Sequence, residues 1–192
     1  MGEREELVET LDKHRSLLRR TVRDLTDAQA AERTTVSELC LGGLVKHVAA
    51  VEARWVRFIT GGAEAMRGGD GSRGGGAGGS GGAGSSGGTG SSGGTGSSGS
   101  ADAWAAQFRM AEGETLAGLL AEYERVARGT DELVRTLPDL DVAHPLPSAP
   151  WFEPGAAWSA RRVLLHLIAE TAQHAGHADI IREALDGAKS MG

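Results

Sequence analysis

The sequence predicts an all-α protein built as a bundle of four long helices. Three observations lead there: apolar residues recur at three- and four-residue steps over four separate stretches, capping residues stand at the ends of those stretches, and long runs of strand-like alternation are absent. At 192 residues the chain can form one domain with its own core. One domain over 1–192 is therefore expected, interrupted at 68–100 by a segment of different character.

The first helix is expected over about 3–24, where Leu7, Leu11, Leu17, Leu18, Val22 and Leu25 punctuate a charged background. Thr26 and Gln29 then have the spacing of a capping box and indicate a short extra turn. The second helix is expected over about 37–59, with Cys40, Leu44, His47, Val51, Trp55 and Phe58 along one line. Thr115 caps the third, whose Leu116, Leu119, Leu120, Tyr123, Val126, Leu133, Val134 and Leu137 precede the helix-stopping Pro138. The fourth starts after Ser159, an N-cap residue, and stops at Gly187, which suits the position just past a helix end.

Two connections differ from the helices. Segment 68–100 holds 18 of the 30 glycines, ends in a repeated SSGGTG unit and has no large side chain to bury, so a flexible spacer is expected, native or inserted. The proline-rich stretch PDLDVAHPLPSAPWFEPGAAW, 138–158, is expected to be irregular, with Trp151, Phe152 and Trp158 anchoring it over one end of the bundle.

A net charge of −6 and a pI near 5.5 give no general attraction to nucleic acid or anionic lipid, so neither is an expected partner. The lone Cys40, the charged beginning MGEREELVETLDKH and the lack of an eighteen-residue apolar run lead to the expectation of a cytoplasmic protein. Cys40 is expected to be an inert buried thiol. His14, His144 and the runs KHRSLLRR and ARRV are expected to face water.

The fourth helix carries an anomaly. Steps of four and three give the line Val163, Leu167, Glu170, His174, His177, Ile181, in which a polar middle is bracketed by apolar ends. Burying a carboxylate and imidazoles costs several kcal/mol unless partners compensate. A divalent cation compensates: imidazole and carboxylate are preferred ligands, Glu170 and His174 share a helix face, and His47 stands at the centre of the second helix's line as a third donor. Three protein ligands leave a position for water or substrate. The alternative is a Glu–His pair closed by its own hydrogen bond. His166 lies one step off the line and is not expected to be a ligand.

LGGLVKHVAAVEARW and HLIAETAQHAGHADIIREALDG resemble the second-helix and last-helix signatures of the DinB/YfiT-like metalloprotein superfamily, in particular its actinobacterial branch. The resemblance implies a four-helix bundle with a long crossover between the second and third helices, where the glycine-rich segment falls. It implies a divalent metal, zinc or nickel, on His47, Glu170 and His174. Many members have His where Glu170 stands; the Glu form resembles mycothiol-dependent maleylpyruvate isomerase, whose separate C-terminal domain is not expected here. His177 then stands behind the ligands or acts as the catalytic acid or base. Characterised relatives use low-molecular-weight thiols, which implies a mycothiol-type S-transferase with a small-molecule thiol and an electrophile as partners. Two further readings are a metal-dependent hydrolase using activated water, and a non-catalytic metal-binding bundle. An exposed apolar stripe on the first helix would point to a homodimer.

Overall fold

The computed structural model describes residues 2–67 and 105–190. The described chain is mostly helical: α1 Glu3–Thr21, α2 Asp27–Ala31, α3 Leu41–Arg67, α4 Leu116–Thr136 and α5 Ala160–Asp186, with two short strands, β1 Ala143–Pro145 and β2 Ala157–Ser159. The glycine-rich segment expected at 68–100 lies outside the described residues. No helix among the described residues is long and apolar enough to cross a membrane.

Several boundaries follow the capping chemistry. Thr26 and Gln29 form the expected capping box at α2. The Thr115 and Ser159 hydroxyls accept from the Gly118 and Arg162 amides, and Gly187 ends α5 at φ 79°. Other boundaries move. α1 stops at Thr21 rather than near 24, where Asp24 takes φ 62°. α3 begins at Leu41 rather than 37, because the Thr35 and Ser37 hydroxyls accept from the Ser37 and Leu39 amides and hold non-helical turns there. It then runs past 59 to Arg67 across a break at Gly62, φ 66°.

The expectation of an irregular 138–158 segment is corrected. β1 and β2 pair antiparallel, Ala143 with Ser159, His144 with Trp158 and Pro145 with Ala157. The hairpin also supplies acceptors for the start of α5: Ala160 and Arg161 donate their amides to the Val142 and Leu140 carbonyls, both at 2.9 Å, satisfying donors that a helix start leaves open. His144, expected in water, is half-buried, its Nε2 3.2 Å from the Ile59 carbonyl oxygen and its ring against Phe58 and Gly62. His14 is half-buried too, and its Nδ1 has no hydrogen-bond partner among the described residues.

α1 packs mainly on α5, and α3 packs on both α4 and α5. The core falls into two apolar clusters. One contains Leu18, Leu44, Val48, Tyr123, Ala178 and Ile181; the other contains Leu11, Trp55, Phe58, Val134, Val163 and Leu167. Each long helix contributes buried polar residues: Arg15 and Thr21 from α1, Glu52 from α3, Thr130 from α4 and Thr171 from α5. Arg15 and Glu52 are 0 % and 1 % exposed. Arg15 Nη2 donates to Glu52 Oε1 at 2.5 Å and Nε to Oε2 at 3.3 Å, while Nη1 donates to both Asp12 and Asp131 at 2.8 Å. The Thr130 hydroxyl donates to Glu52 at 2.6 Å. Burial works against the Arg15 charge, but the Glu52 and Asp131 carboxylates together more than offset it and raise the guanidinium pKa. The expectation that KHRSLLRR is wholly a solvated face is thus wrong at Arg15, which has this ionic layer to receive it.

Candidate metal centre

α3 and α5 bring the expected ligands together. One donor atom each from His47, Glu170 and His174 lie within 4.8 Å of one another. His174 Nε2 is 3.4 Å from Glu170 Oε2, about the spacing of two ligands around one ion with bonds of roughly 2.0–2.1 Å. The His47 and His174 rings meet edge to face, centroids 4.9 Å apart.

The site lies at the margin of the core, contrary to the expected inward line. The buried line of α5 passes through Leu164, Leu167, Thr171, Ala175 and Ala178, leaving Glu170, His174 and His177 half-buried beside it. At about 100° per residue, Glu170, His174 and His177 point on average roughly 70° around the helix from the mean direction of the buried residues of α5, which puts them on its flank. His174 retains 12 % exposure and Glu170 28 %, so small molecules can reach the cluster.

The electrostatics suit a cation. Burial, and then the neighbouring His174, lower the His47 pKa to about 4, so its imidazole is neutral at pH 7 and has a free lone pair. Among the described residues His47 Nδ1 is buried without a hydrogen-bond partner, which argues against a cluster closed by internal hydrogen bonds alone. The hydrogen bond with His174 holds the Glu170 carboxyl below its ordinary range, and it is ionised. The His47 imidazole, held neutral, with a second imidazole and a carboxylate, forms a borderline donor set of the kind that divalent transition metals take.

Because the folded His47 pKa lies below the unfolded value of 6.5, the unfolded chain binds more protons between about pH 6.5 and 4. The metal-free protein is therefore expected to lose stability across that window as pH falls. Urea titrations with His47→Phe alongside isolate this contribution, since the variant lacks that part of the slope.

Neighbours hold the ligands in place. His177 Nδ1 lies 3.4 Å from His174 Nδ1, on the ring edge away from Glu170. His166, left off the ligand line, sits with Nε2 3.7 Å from Glu170 Oε1, its ring against Trp55 and Trp158 at 5.0 and 5.2 Å. Burial lowers its pKa. Phe108 was not foreseen: its ring stacks on His47 at 4.1 Å. The signal for it is the pair Gly42–Gly43. A Cβ on Gly43 would lie 1.8 Å from the Phe108 carbonyl oxygen, and one on Gly42 2.2 Å from Met110 Sδ. The glycines let the Phe108 segment cross α3 one turn before His47. Buried Cys40 donates its thiol to the same carbonyl at 3.5 Å, in keeping with an inert role. Gly43→Ala is expected to cost about 1–3 kcal/mol by overpacking and to weaken metal binding, checked by urea unfolding and metal titration.

A helical fold in which a histidine of one long helix meets a glutamate–histidine pair of another defines a protein with a ligand set for a divalent cation. Comparison with known families narrows this class. The chain belongs to the mycothiol S-transferase family, whose model, described as Mycothiol-S-transferase, matches residues 6–80 and 88–187. This family is DinB/YfiT-like, as the two helix signatures led one to expect. No curated protein and no solved structure matches the chain.

Proposed function

We propose that the chain is a mycothiol S-transferase, a single four-helix-bundle domain of the cytoplasm, joining the thiol to a small electrophile at a zinc or nickel centre held by His47, Glu170 and His174. The observation that carries this reading is the convergence of three metal-ligand side chains from two helices in a chain of this family. A divalent ion at such ligands supplies charge that favours thiolate over thiol.

The chain's own residues do the rest. His47 is kept neutral under Phe108 and offers a lone pair at pH 7. Glu170 is oriented from both sides, by His174 at one carboxylate oxygen and His166 at the other. His177 faces His174 across the Nδ1 atoms; with the proton of that contact on His174 Nδ1, Nε2 would offer its lone pair to an ion beside Glu170 in place of the hydrogen bond made without metal. We assign His177 the thiol proton as well: the sulfur forms its bond to the electrophilic carbon, the leaving group departs with its bonding pair, and the proton passes to imidazole.

Metal analysis of protein purified without chelator, followed by turnover with mycothiol and an alkylating probe such as monochlorobimane, tests this. One ion per chain and thiol-dependent turnover are expected. Turnover with activated water and no thiol would make the protein a hydrolase, and stoichiometric metal without turnover a binding protein; either result overturns the reading. His177→Ala is expected to lower metal affinity about 10–100-fold, with partial recovery in His177→Gln, which can still accept from His174; competition with a chromogenic chelator measures both.

A further inference from the structure

The outward face of α5 carries no charge over its central four turns. Between residues 163 and 180 the exposed positions are Leu165, Ala169, Gln173, Gly176 and Ile180. Leu165 is 50 % and Ile180 64 % exposed, and a Cβ on Gly176 would meet nothing within 4 Å among the described residues. The titratable residues of this stretch, His166, Glu170, His174, His177 and Asp179, are all half-buried, and Asp179 accepts the Ser190 amide at 2.6 Å. α1 exposes Glu5, Glu6, Glu9, Asp12, Lys13 and Arg20 instead.

The strip is complementary to itself. Two copies laid antiparallel about a twofold axis between residues 172 and 173 set Leu165 opposite Ile180 and Ala169 opposite Gly176, large against large and small against small. The same operation sets Arg162 opposite Glu183, one helical turn or less beyond the apolar residues at each end. Both are exposed, Arg162 over the Trp158 ring at 5.2 Å and Glu183 paired with Lys189 at 3.1 Å. A symmetric dimer uses one patch twice, so each favourable pair occurs twice. Segment 68–100 has no large apolar side chain with which to cover the strip.

We infer that α5 is a self-association surface, on which a second copy of this chain packs its own α5 antiparallel. The strip from Arg162 to Glu183 is roughly 32 Å long, and a single helix pair of that length buries less than the roughly 1,200–2,000 Å² of stable interfaces. The dimer is therefore reversible and concentration-dependent, and the metal ligands are complete within each copy.

Sedimentation velocity of the full chain over a wide concentration range should show a monomer–dimer equilibrium. Arg162→Glu and Glu183→Arg singly should each weaken it by about tenfold or more, and the double exchange should restore it. Leu165→Ser should weaken it as well. Circular dichroism should be unchanged in all four, because every altered side chain is exposed. A monomer at the highest concentration, a dimer indifferent to these substitutions, or single exchanges that add without rescue would each overturn the inference.

Discussion

Glu52→Ala is expected to destabilise the protein by about 3–5 kcal/mol, because it leaves the Arg15 guanidinium buried without its main counter-charge. Arg15 is inaccessible, and Asp12 and Asp131 touch only its Nη1 edge. Nε and Nη2 would lose their acceptor, and the Thr130 hydroxyl would lose the carboxylate it donates to. Arg15→Ala is expected to be of the same order, now with Glu52 stranded. The double replacement Arg15→Met with Glu52→Leu behaves differently. Removing both charges removes both desolvation penalties, so this variant is expected near wild-type stability or above it by about 1–4 kcal/mol. Urea unfolding of the four proteins compares stranding either charge with removing both. A loss of under about 1 kcal/mol in Glu52→Ala would show that the ionic layer is solvated rather than sealed.

His47→Ala is expected to abolish stoichiometric metal binding and to reduce thiol transfer to background, while the chain stays folded. Losing a ligand should cost more than the roughly 10–100-fold that losing an outer partner costs. The fold should persist because His47 is half-buried and its Nδ1 has no hydrogen bond to lose. His14→Ala is the matched control, another half-buried imidazole with an unpartnered Nδ1 but outside the cluster. Metal content and transfer rate should be those of wild type there. Equal metal in His47→Ala and wild type would exclude this histidine from the ligands.

The helices and their caps were legible because they depend on neighbours along the chain. The Thr26–Gln29 box, the Thr115 and Ser159 caps and the Gly187 terminator stand where spacing places them. The histidine and glutamate of the candidate centre were legible for a related reason: polar residues recurring at apolar spacing need an explanation that residues in a charged stretch do not. Arg15 sits between His14 and Ser16 in such a stretch, and nothing local separates it from Arg19 or Arg20. The 143–145 and 157–159 hairpin was missed because proline-rich strands of three residues carry no periodicity.

Sequence alone thus determined the quantities that depend on i to i+4 relations: which segments are helical, where most of them end, and that Glu170 and His174 share a face. Tertiary structure decided which side of each helix is innermost and what lies across from it. It moved the polar line of α5 to the margin of the core, placed Phe108 over His47 through the Gly42–Gly43 gap, and paired Arg15 with Glu52, 37 residues away. The reason is that burial and charge pairing depend on contacts between distant parts of the chain. A helix's own periodicity shows which residues share a face but not how far that face is turned from the core, and that turn separates a buried side chain from one open at the margin.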